Sequence, residues 1–257
     1  GAYINNIDLK KLDQNQKKEI KDTLVSFGVV FIKKQNLDPA SYQNFAKCIG
    51  QPVVYPRLKG LDEKFPFINV IERKPDDKNL SFGSSWLHQD TSYLSDDRPR
   101  YTMLMGIEIP VGQGNTIFSS GFNAYEKLPN EIKNKIKNAT GIFSSAGPIA
   151  VTRLEREKEM GIKSSNSMEA EHPIVKMVNG KKTLYISPGH LMKIKNVEEK
   201  DSNYLKKYLI EHVNKQEFTF SYEWSKGDIC LWDNLSILHM ASEIKNCRRV
   251  MHRITIK

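Results

Sequence analysis

Residues 85–93 read SWLHQDTSY, a stretch that places His88 and Asp90 two positions apart between aromatic residues. In an extended segment, alternate side chains point to the same face, so His88 and Asp90 are expected on one side of the chain. An imidazole and a carboxylate on one face can serve as two ligands of a metal ion. A chain of this composition holds roughly 0.3 such pairs by chance, so the motif predicts a metal site only together with a third ligand.

The third ligand is expected near the carboxyl end of the chain. His239 ends residues 227–239, GDICLWDNLSILH, which predict a strand, a turn at Asp233-Asn234 and a second strand. His212 falls on a predicted amphipathic helix and is expected to be structural. Two histidines and one carboxylate form the facial triad of non-heme Fe(II) oxygenases, which leaves metal positions open for a cosubstrate and oxygen.

The last predicted strand supplies two cations. Residues 248–256 read RRVMHRITI, and alternation puts Arg249 and Arg253 on one face of that strand. Arginines buried on a strand need anions, and a guanidinium matches the geometry of a carboxylate. We therefore expect these two side chains to bind carboxylate-type ligands. The residues alone leave open the alternative that both lie on the surface of an edge strand.

Composition narrows the class of protein. The 257 residues are 39% hydrophobic and 27% charged, which is typical of a globular protein. No apolar run is long enough for a membrane span and no signal-peptide core is present, so we expect a cytoplasmic protein with no membrane partner. Cys48, Cys230 and Cys247 lack C-x-x-C spacing, which argues against a disulfide framework or a structural zinc site. The net charge of +9 suggests nucleic acid, but the lysines are spread along the chain, so no nucleic-acid partner is expected.

The hydrophobic pattern predicts a single domain over residues 1–257, mainly β with flanking helices. Apolar residues at helical spacing predict helices over residues 13–27, 39–49, 122–128, 129–136 and 200–215. Strands are predicted over residues 29–32, 67–71, 87–93, 101–109, 116–118, 218–224, 228–232, 235–239 and 248–256, with a hairpin over 174–186 around Asn179-Gly180. Residues 152–168 are largely charged and are interpreted as an exposed insertion or mobile lid.

The order of the motifs resembles that of the taurine dioxygenase (TauD/TfdA) family of Fe(II)- and 2-oxoglutarate-dependent oxygenases. The matching segments are H-x-D at 88–90, GNTIF at 114–118, HPIV at 172–175, LYI at 184–186, WDN at 232–234, His239, and RRVMHR at 248–253. Together they cover nearly the whole chain. The resemblance implies a double-stranded β-helix, the jelly-roll or cupin-like core in which two facing sheets enclose the iron.

The resemblance also implies an oxidoreductase that hydroxylates a small molecule with O2 while 2-oxoglutarate becomes succinate and CO2. By this resemblance, the iron ligands are His88, Asp90 and His239, and the 2-oxoglutarate residues are Thr116, Arg249 and Arg253. Arg253 also matches an arginine near the anionic group of the substrate, and His190 falls in a loop that lines the pocket of related enzymes. Residues 232–234 are interpreted as a structural turn without a chemical role.

The substrate is less well determined than the reaction. The taurine enzyme of this family has an Asp-Asn pair for the substrate amine just before the H-x-D motif, whereas this chain has Phe82-Gly83-Ser84-Ser85 there. With Arg253 and His190, this favours a small carboxylate or sulfonate other than taurine. The alternative is an oxygenase of the wider superfamily that acts on nucleic acid or protein, which needs a basic groove with aromatic platforms that the sequence does not show. A homo-oligomer is compatible with the sequence.

Overall fold

A computed structural model describes residues 1–55, 58–78, 80–95, 98–152, 154 and 167–257 of the protein. The strands in those residues are β1 Ala2–Ile4, β2 Val29–Ile32, β3 Pro52–Val53, β4 Asn69–Arg73, β5 Tyr101–Glu108, β6 Thr116–Ser120, β7 Thr140–Ser144, β8 Glu169–Pro173, β9 Val175–Val178, β10 Lys181–Leu184, β11 Leu191–Lys195, β12 Thr219–Tyr222, β13 Ile229–Asp233, β14 Ile237–Ala241 and β15 Arg249–Ile256. The helices are α1 Gln14–Phe27, α2 Pro39–Ile49, α3 Gly121–Glu126, α4 Asn130–Ile136 and α5 Glu199–Val213.

Two sheets face each other across the middle of the molecule. The larger has the order β1-β2-β13-β5-β15-β3, with β4 also paired to β15, and the smaller has the order β12-β6-β14. Buried side chains of both sheets, among them Phe31, Phe118, Trp232 and Met251, form one apolar cluster between them. This arrangement is the double-stranded β-helix that the resemblance predicted, and the mainly β class with flanking helices is confirmed.

The helices cover the outer faces of this core. Helix α1 begins at a capping box in which Asp13 and Gln16 bond each other's backbone N–H groups, and it ends at Gly28 with φ of 75°. Helices α1 and α2 pack a second apolar cluster against the larger sheet. Helices α3, α4 and α5 enclose a third cluster with strands β7 and β11. The predicted helices over 13–27 and 39–49 are therefore confirmed.

The predicted strand over residues 87–93 is wrong. Only His88 makes an isolated antiparallel bridge, to His239, and a turn follows in which Thr91 has φ of 54°. The backbone N–H of Gln89 bonds the hydroxyl of Ser187 rather than a neighbouring strand. Side-chain acceptors thus replace the ladder that the alternating sequence suggested.

The hairpin at Asn179-Gly180 is confirmed, because β9 and β10 pair antiparallel and both turn residues have positive φ, 49° and 76°. Of the proposed insertion at 152–168, residue 153 and residues 155–166 lie outside the described residues. No helix in the described ranges has the length and apolar character needed to span a membrane.

Candidate metal and oxoacid site

Three side chains from two distant segments form one buried group. The ligand atoms of His88, Asp90 and His239 all lie within 4.8 Å of one another. Nε2 of His88 is 3.8 Å from Oδ1 of Asp90, and Nε2 of His239 is 3.8 Å from Oδ2. The bridge between His88 and His239, with N–H to O distances of 3.0 and 2.9 Å, holds the two histidine backbones side by side. The structure thus brings together the three residues that the sequence nominated as metal ligands.

The protonation states of this group suit a cation. Nδ1 of His88 lies 3.0 Å from the carbonyl oxygen of Trp86, which can only accept, so Nδ1 carries the proton and Nε2 has its lone pair free. Burial lowers the pKa of His88 and holds the pKa of His239 well below its usual value. Burial raises the pKa of Asp90, but Arg253, with smaller contributions from the histidines, outweighs it and holds that pKa well below its usual range. Neutral imidazoles beside a carboxylate are the ligand forms that a divalent metal requires.

A cavity beside this group contains two arginines. Arg249, Arg253, Thr116 and Met251 line it together with the three candidate ligands. Arg249 is 6% exposed, and its Nε and Nη2 have no hydrogen-bond partner among the described residues. Burial lowers the pKa of Arg249 to about 10, so it stays cationic at neutral pH. A buried cation without a partner is costly, and this cavity therefore fits an anionic ligand such as the distal carboxylate of 2-oxoglutarate.

The surface-strand alternative for the two arginines is wrong. Strand β15 pairs with β5 on one side and with β3 and β4 on the other, and Arg253 is 3% exposed. Its guanidinium lies 4.6 Å from the ring centroid of Tyr55 and 3.2 Å from Oδ2 of Asp90. Arg253 lines the cavity described above, and the ring of Tyr55 that it contacts lines a second cavity.

The second cavity also lies against the candidate metal ligands. His88, Asp90, Phe82 and Gly83 line both cavities, and the second is completed by Tyr55, Thr91, Tyr93, Ile149, Ala150, Thr152 and His190. Nδ1 of His190 lies 3.0 Å from the hydroxyl of Ser92 and 3.1 Å from that of Ser187. His190 is therefore a buried cavity residue held by two serines and not a surface histidine.

Two contacts to the site were missed from the sequence. The indole N–H of Trp224 donates to the hydroxyl of Thr116 over 2.9 Å, and the hydroxyl of Thr102 donates to Oδ2 of Asp90 over 2.7 Å. Each joins segments more than ten residues apart, and no local pattern marks either donor. By contrast, His212 bonds the carbonyl oxygen of Ala124, the structural role expected for it.

Comparisons with known proteins agree over the whole chain. The sequence model of the family described as "Taurine catabolism dioxygenase TauD, TfdA family" matches residues 1–255. The chain is 31% identical over 269 residues to an alkylsulfatase of Acinetobacter baylyi, covering 100% of this chain and 81% of that protein. It is 28% identical over 269 residues to an alpha-ketoglutarate-dependent sulfate ester dioxygenase of Pseudomonas putida, covering 100% and 86%.

A solved structure gives the same result for the fold. A taurine dioxygenase from Burkholderia xenovorans superimposes with a TM-score of 0.81 at 25% identity, over 99% of this chain and 84% of that chain. All of these matches extend over the segments that supply His88, Asp90 and His239.

Proposed function

The chain belongs to the TauD, TfdA family of dioxygenases, and from that membership we propose that it uses Fe(II), 2-oxoglutarate and O2 to hydroxylate a small organic anion. The observation that carries the proposal is the buried Arg249, two of whose nitrogens have no hydrogen-bond partner among the described residues, in the same cavity as His88, Asp90 and His239. An Fe(II) ion bound there supplies the oxidising power, because it activates O2 at the expense of the oxoacid.

The residues of the chain have separate tasks in this proposal. His88, Asp90 and His239 hold the iron. Arg249 and Thr116 bind the distal carboxylate of 2-oxoglutarate, which fixes the oxoacid end toward the metal. Arg253 neutralises negative charge where the two cavities meet, and it stays cationic because the nearby Asp90 carboxylate raises its pKa against the effect of burial.

The second cavity favours an alkyl chain with an anionic head. Phe82, Ile149 and Ala150 present apolar surface, while His190 and the adjacent Arg253 suit a negative group. Among the described residues that line this cavity, Asp90 is the only carboxylate, so a substrate ammonium finds no carboxylate among them apart from the proposed metal ligand. We therefore favour an alkyl sulfate ester or alkyl sulfonate over an amino sulfonate such as taurine, in keeping with the two sulfate-ester relatives.

The expected chemistry is hydroxylation at the carbon that bears the sulfate or sulfonate. For a primary sulfate ester, one oxygen atom of O2 is inserted into the C–H bond, and the other enters the succinate that 2-oxoglutarate forms as it loses CO2. The hydroxylated carbon then expels sulfate as its C–O bond breaks, the hydroxyl loses its proton, and an aldehyde remains.

The proposal is tested by succinate formation from 2-oxoglutarate with hexyl sulfate, hexanesulfonate, hexanoate and taurine, using His88→Ala as the blank. We expect Fe(II)- and O2-dependent turnover with hexyl sulfate or hexanesulfonate. Sulfate or sulfite, respectively, should be released in equal amount to succinate. Strong preference for taurine would contradict the substrate class. Failure of the iron-loaded protein to bind 2-oxoglutarate would contradict the oxygenase itself.

No observation on the described residues favours the alternative of a nucleic-acid or protein substrate, because the candidate metal ligands are each less than 10% exposed. A cytoplasmic location, a single domain and a homo-oligomer stay predictions.

A further inference from the structure

The turn at residues 232–234, to which the sequence assigned no chemistry, contacts the candidate metal group. Oδ1 of Asn234 accepts the indole N–H of Trp232 over 2.9 Å and the backbone N–H of Asp90 over 3.2 Å. Both partners can only donate, so this atom must be the amide oxygen and the other end must be the NH2 group. The orientation of the carboxamide is thereby fixed by two independent donors.

The NH2 group of Asn234 in turn fixes the orientation of the hydroxyl of Thr102. Nδ2 of Asn234 donates to Oγ1 of Thr102 over 2.9 Å. A threonine hydroxyl has one proton, and a lone pair of Oγ1 is engaged by Asn234, so the proton is directed at Oδ2 of Asp90, 2.7 Å away. Asn234 and Thr102 are 2% and 0% exposed, so water does not compete for these bonds.

The result is an asymmetric environment for the two oxygens of Asp90. Oδ2 faces the hydroxyl of Thr102 and Nη2 of Arg253, at 2.7 and 3.2 Å. Among the hydrogen bonds of the described residues, the one from Thr102 goes to Oδ2 and none goes to Oδ1, whereas the two oxygens are equally far from the histidines: Oδ1 lies 3.8 Å from Nε2 of His88 and Oδ2 lies 3.8 Å from Nε2 of His239. An oxygen that already accepts a hydrogen bond and pairs with a guanidinium is a poorer metal ligand than one with both lone pairs available.

We propose that Asn234 and Thr102 are positioning residues, which turn the carboxylate of Asp90 so that Oδ1 binds the metal ion and Oδ2 does not. This inference rests on the proposed metal site. Without the relay from Asn234 through Thr102, only the ion pair with Arg253 holds Oδ2, and the carboxylate can turn about its Cβ–Cγ bond to offer either oxygen or both.

The neighbouring turn residues keep the relay in place. Asp233 pairs with Arg100 over 2.7 Å and accepts the backbone N–H of Leu235 over 2.9 Å. The backbone N–H of Asn234 donates to the carbonyl oxygen of Arg100 over 2.8 Å. The turn is thus tied to the start of β5, the strand that carries Thr102.

The chain offers a matched control for the hydroxyl of Thr102. Thr255 is its register partner on the adjacent strand β15, is likewise fully buried, and its hydroxyl has no hydrogen-bond partner among the described residues. Thr102→Val and Thr255→Val therefore make the same isosteric change on paired strands, and only the first removes a donor to Asp90. Thr102→Ser retains the hydroxyl and serves as the rescue.

The experiment is titration of the metal-free full chain with Mn(II), followed by electron paramagnetic resonance. We expect Thr102→Val to weaken Mn(II) binding by about 10-fold or more and to change the spectrum of the bound ion. Thr102→Ser and Thr255→Val are expected to remain close to wild type in both. A role in stability alone would lower the melting temperature of the metal-free variant without altering the spectrum of bound Mn(II).

The possible failures are distinguishable. If wild type binds Mn(II) and Thr102→Val binds it equally well with the same spectrum, the relay is overturned while the metal site stands. An equal loss in Thr255→Val also overturns the relay, because it shows that the effect is not specific to the bond with Asp90. If wild type itself binds no Mn(II), the proposed metal site fails and this inference fails with it.

Discussion

At the scale of single residues, the hydrogen-bond direction of the Thr116 hydroxyl links the apolar core to the cavity proposed for 2-oxoglutarate. Trp224 donates its indole N–H to Thr116, so the one hydroxyl proton of Thr116 is left for another acceptor. In the proposed function that acceptor is the distal carboxylate of 2-oxoglutarate, beside Arg249. Trp224 is 4% exposed and packs with Tyr222 at a centroid distance of 5.1 Å, so its ring is also part of the core.

This contact predicts the behaviour of Trp224→Phe. The variant keeps an aromatic ring but loses the N–H, so the hydroxyl of Thr116 is no longer held as a donor. We expect the Kd for 2-oxoglutarate to rise about 5-fold, which corresponds to roughly 1 kcal/mol for one neutral hydrogen bond. The measurement is calorimetric titration of the Mn(II)-loaded protein, with 2-oxovalerate, which lacks the distal carboxylate, as the control ligand. An equal loss of affinity for 2-oxovalerate would assign the effect to packing instead.

A second residue-scale prediction concerns pH. Burial lowers the pKa of His172 from its usual value of 6.5 to about 4, with further lowering by Lys176 and Arg98. The folded state therefore binds fewer protons than the unfolded state between these two values, and the stability present above about pH 6.5 is lost as pH falls toward 4. The contribution of this one histidine has a slope of at most about 1.4 kcal/mol per pH unit.

His172→Gln tests this contribution. Glutamine can place an N–H near the carbonyl oxygen of Leu94, which His172 Nε2 contacts at 2.8 Å, but it takes up no proton. We expect the free energy of unfolding, measured by urea denaturation, to fall less steeply between pH 6.5 and 4 in the variant than in wild type. Because the pKa values of His212 and His252 are also lowered by burial, some slope remains. Identical slopes for the two proteins would contradict the assignment.

At the scale of elements, two glycines with nearly the same backbone conformation have different surroundings. Gly114, just before β6, has φ of 73°, and a Cβ there would lie 2.8 Å from Cδ of Arg249. Gly180, in the β9–β10 hairpin, has φ of 76° and open space around the same position. Alanine at either site adopts a left-handed conformation at a cost of about 1–2 kcal/mol. Only Gly114→Ala also displaces the proposed oxoacid arginine.

We therefore expect both alanine variants to lose similar stability from the backbone, with an additional loss for Gly114→Ala. The affinity for 2-oxoglutarate should fall only in Gly114→Ala, by about 10-fold or more if the guanidinium moves away from one charged contact. Thermal unfolding and calorimetric titration with 2-oxoglutarate measure the two effects. Weakened binding in Gly180→Ala would show that backbone strain alone is sufficient.

Element prediction from the sequence was reliable where the signal is local. The capping box at Asp13, the Asp38-Pro39 helix start and the Asn-Gly turn act within a few residues, and α1, α2 and the hairpin lie where they were expected. Strands β7, β8 and β11 were missed. Among the described residues they pair only with one another in a separate sheet, and sequences such as EAEHP in β8 show little alternation of apolar and polar residues. Residues 87–93 alternate like a strand but form a turn, since distant side chains such as Ser187 take their backbone hydrogen bonds.

At the scale of the whole molecule, the site depends on contacts that no local pattern encodes. His88 and Asp90 were nominated from one motif, His239 from a distant segment, and Arg249 and Arg253 from the last strand. The resemblance assigned their roles and added Thr116. The buried partners Thr102, Asn234 and Trp224 were not nominated, because their roles appear only when β5, the segment that follows β12 and the turn at residues 232–234 meet. The candidate metal ligands can thus be predicted from the sequence, whereas the residues that orient them are identified only from the fold.

The same dependence predicts how ligands affect global stability. A ligand that binds only the folded state stabilises it by about 2.7 kcal/mol at 100 times its Kd, which corresponds to about 5–10 °C in melting temperature for a domain of this size. We expect Mn(II) to raise the melting temperature of wild type by this order, and 2-oxoglutarate to add a further increment only when the metal is present, since its keto acid end is to be held by the ion.

Two variants separate these increments in a thermal melt. His88→Ala should lose the metal increment and with it the effect of 2-oxoglutarate. Arg249→Gln should keep the metal increment, lose most of the oxoacid increment, and melt no lower than wild type without ligands, because it removes a buried cation that has unpartnered N–H groups in the ligand-free protein. An Arg249→Gln protein that responds to 2-oxoglutarate as wild type does would show that the oxoacid binds elsewhere. The ligand-free comparison tests separately whether Arg249 is retained at a cost to stability.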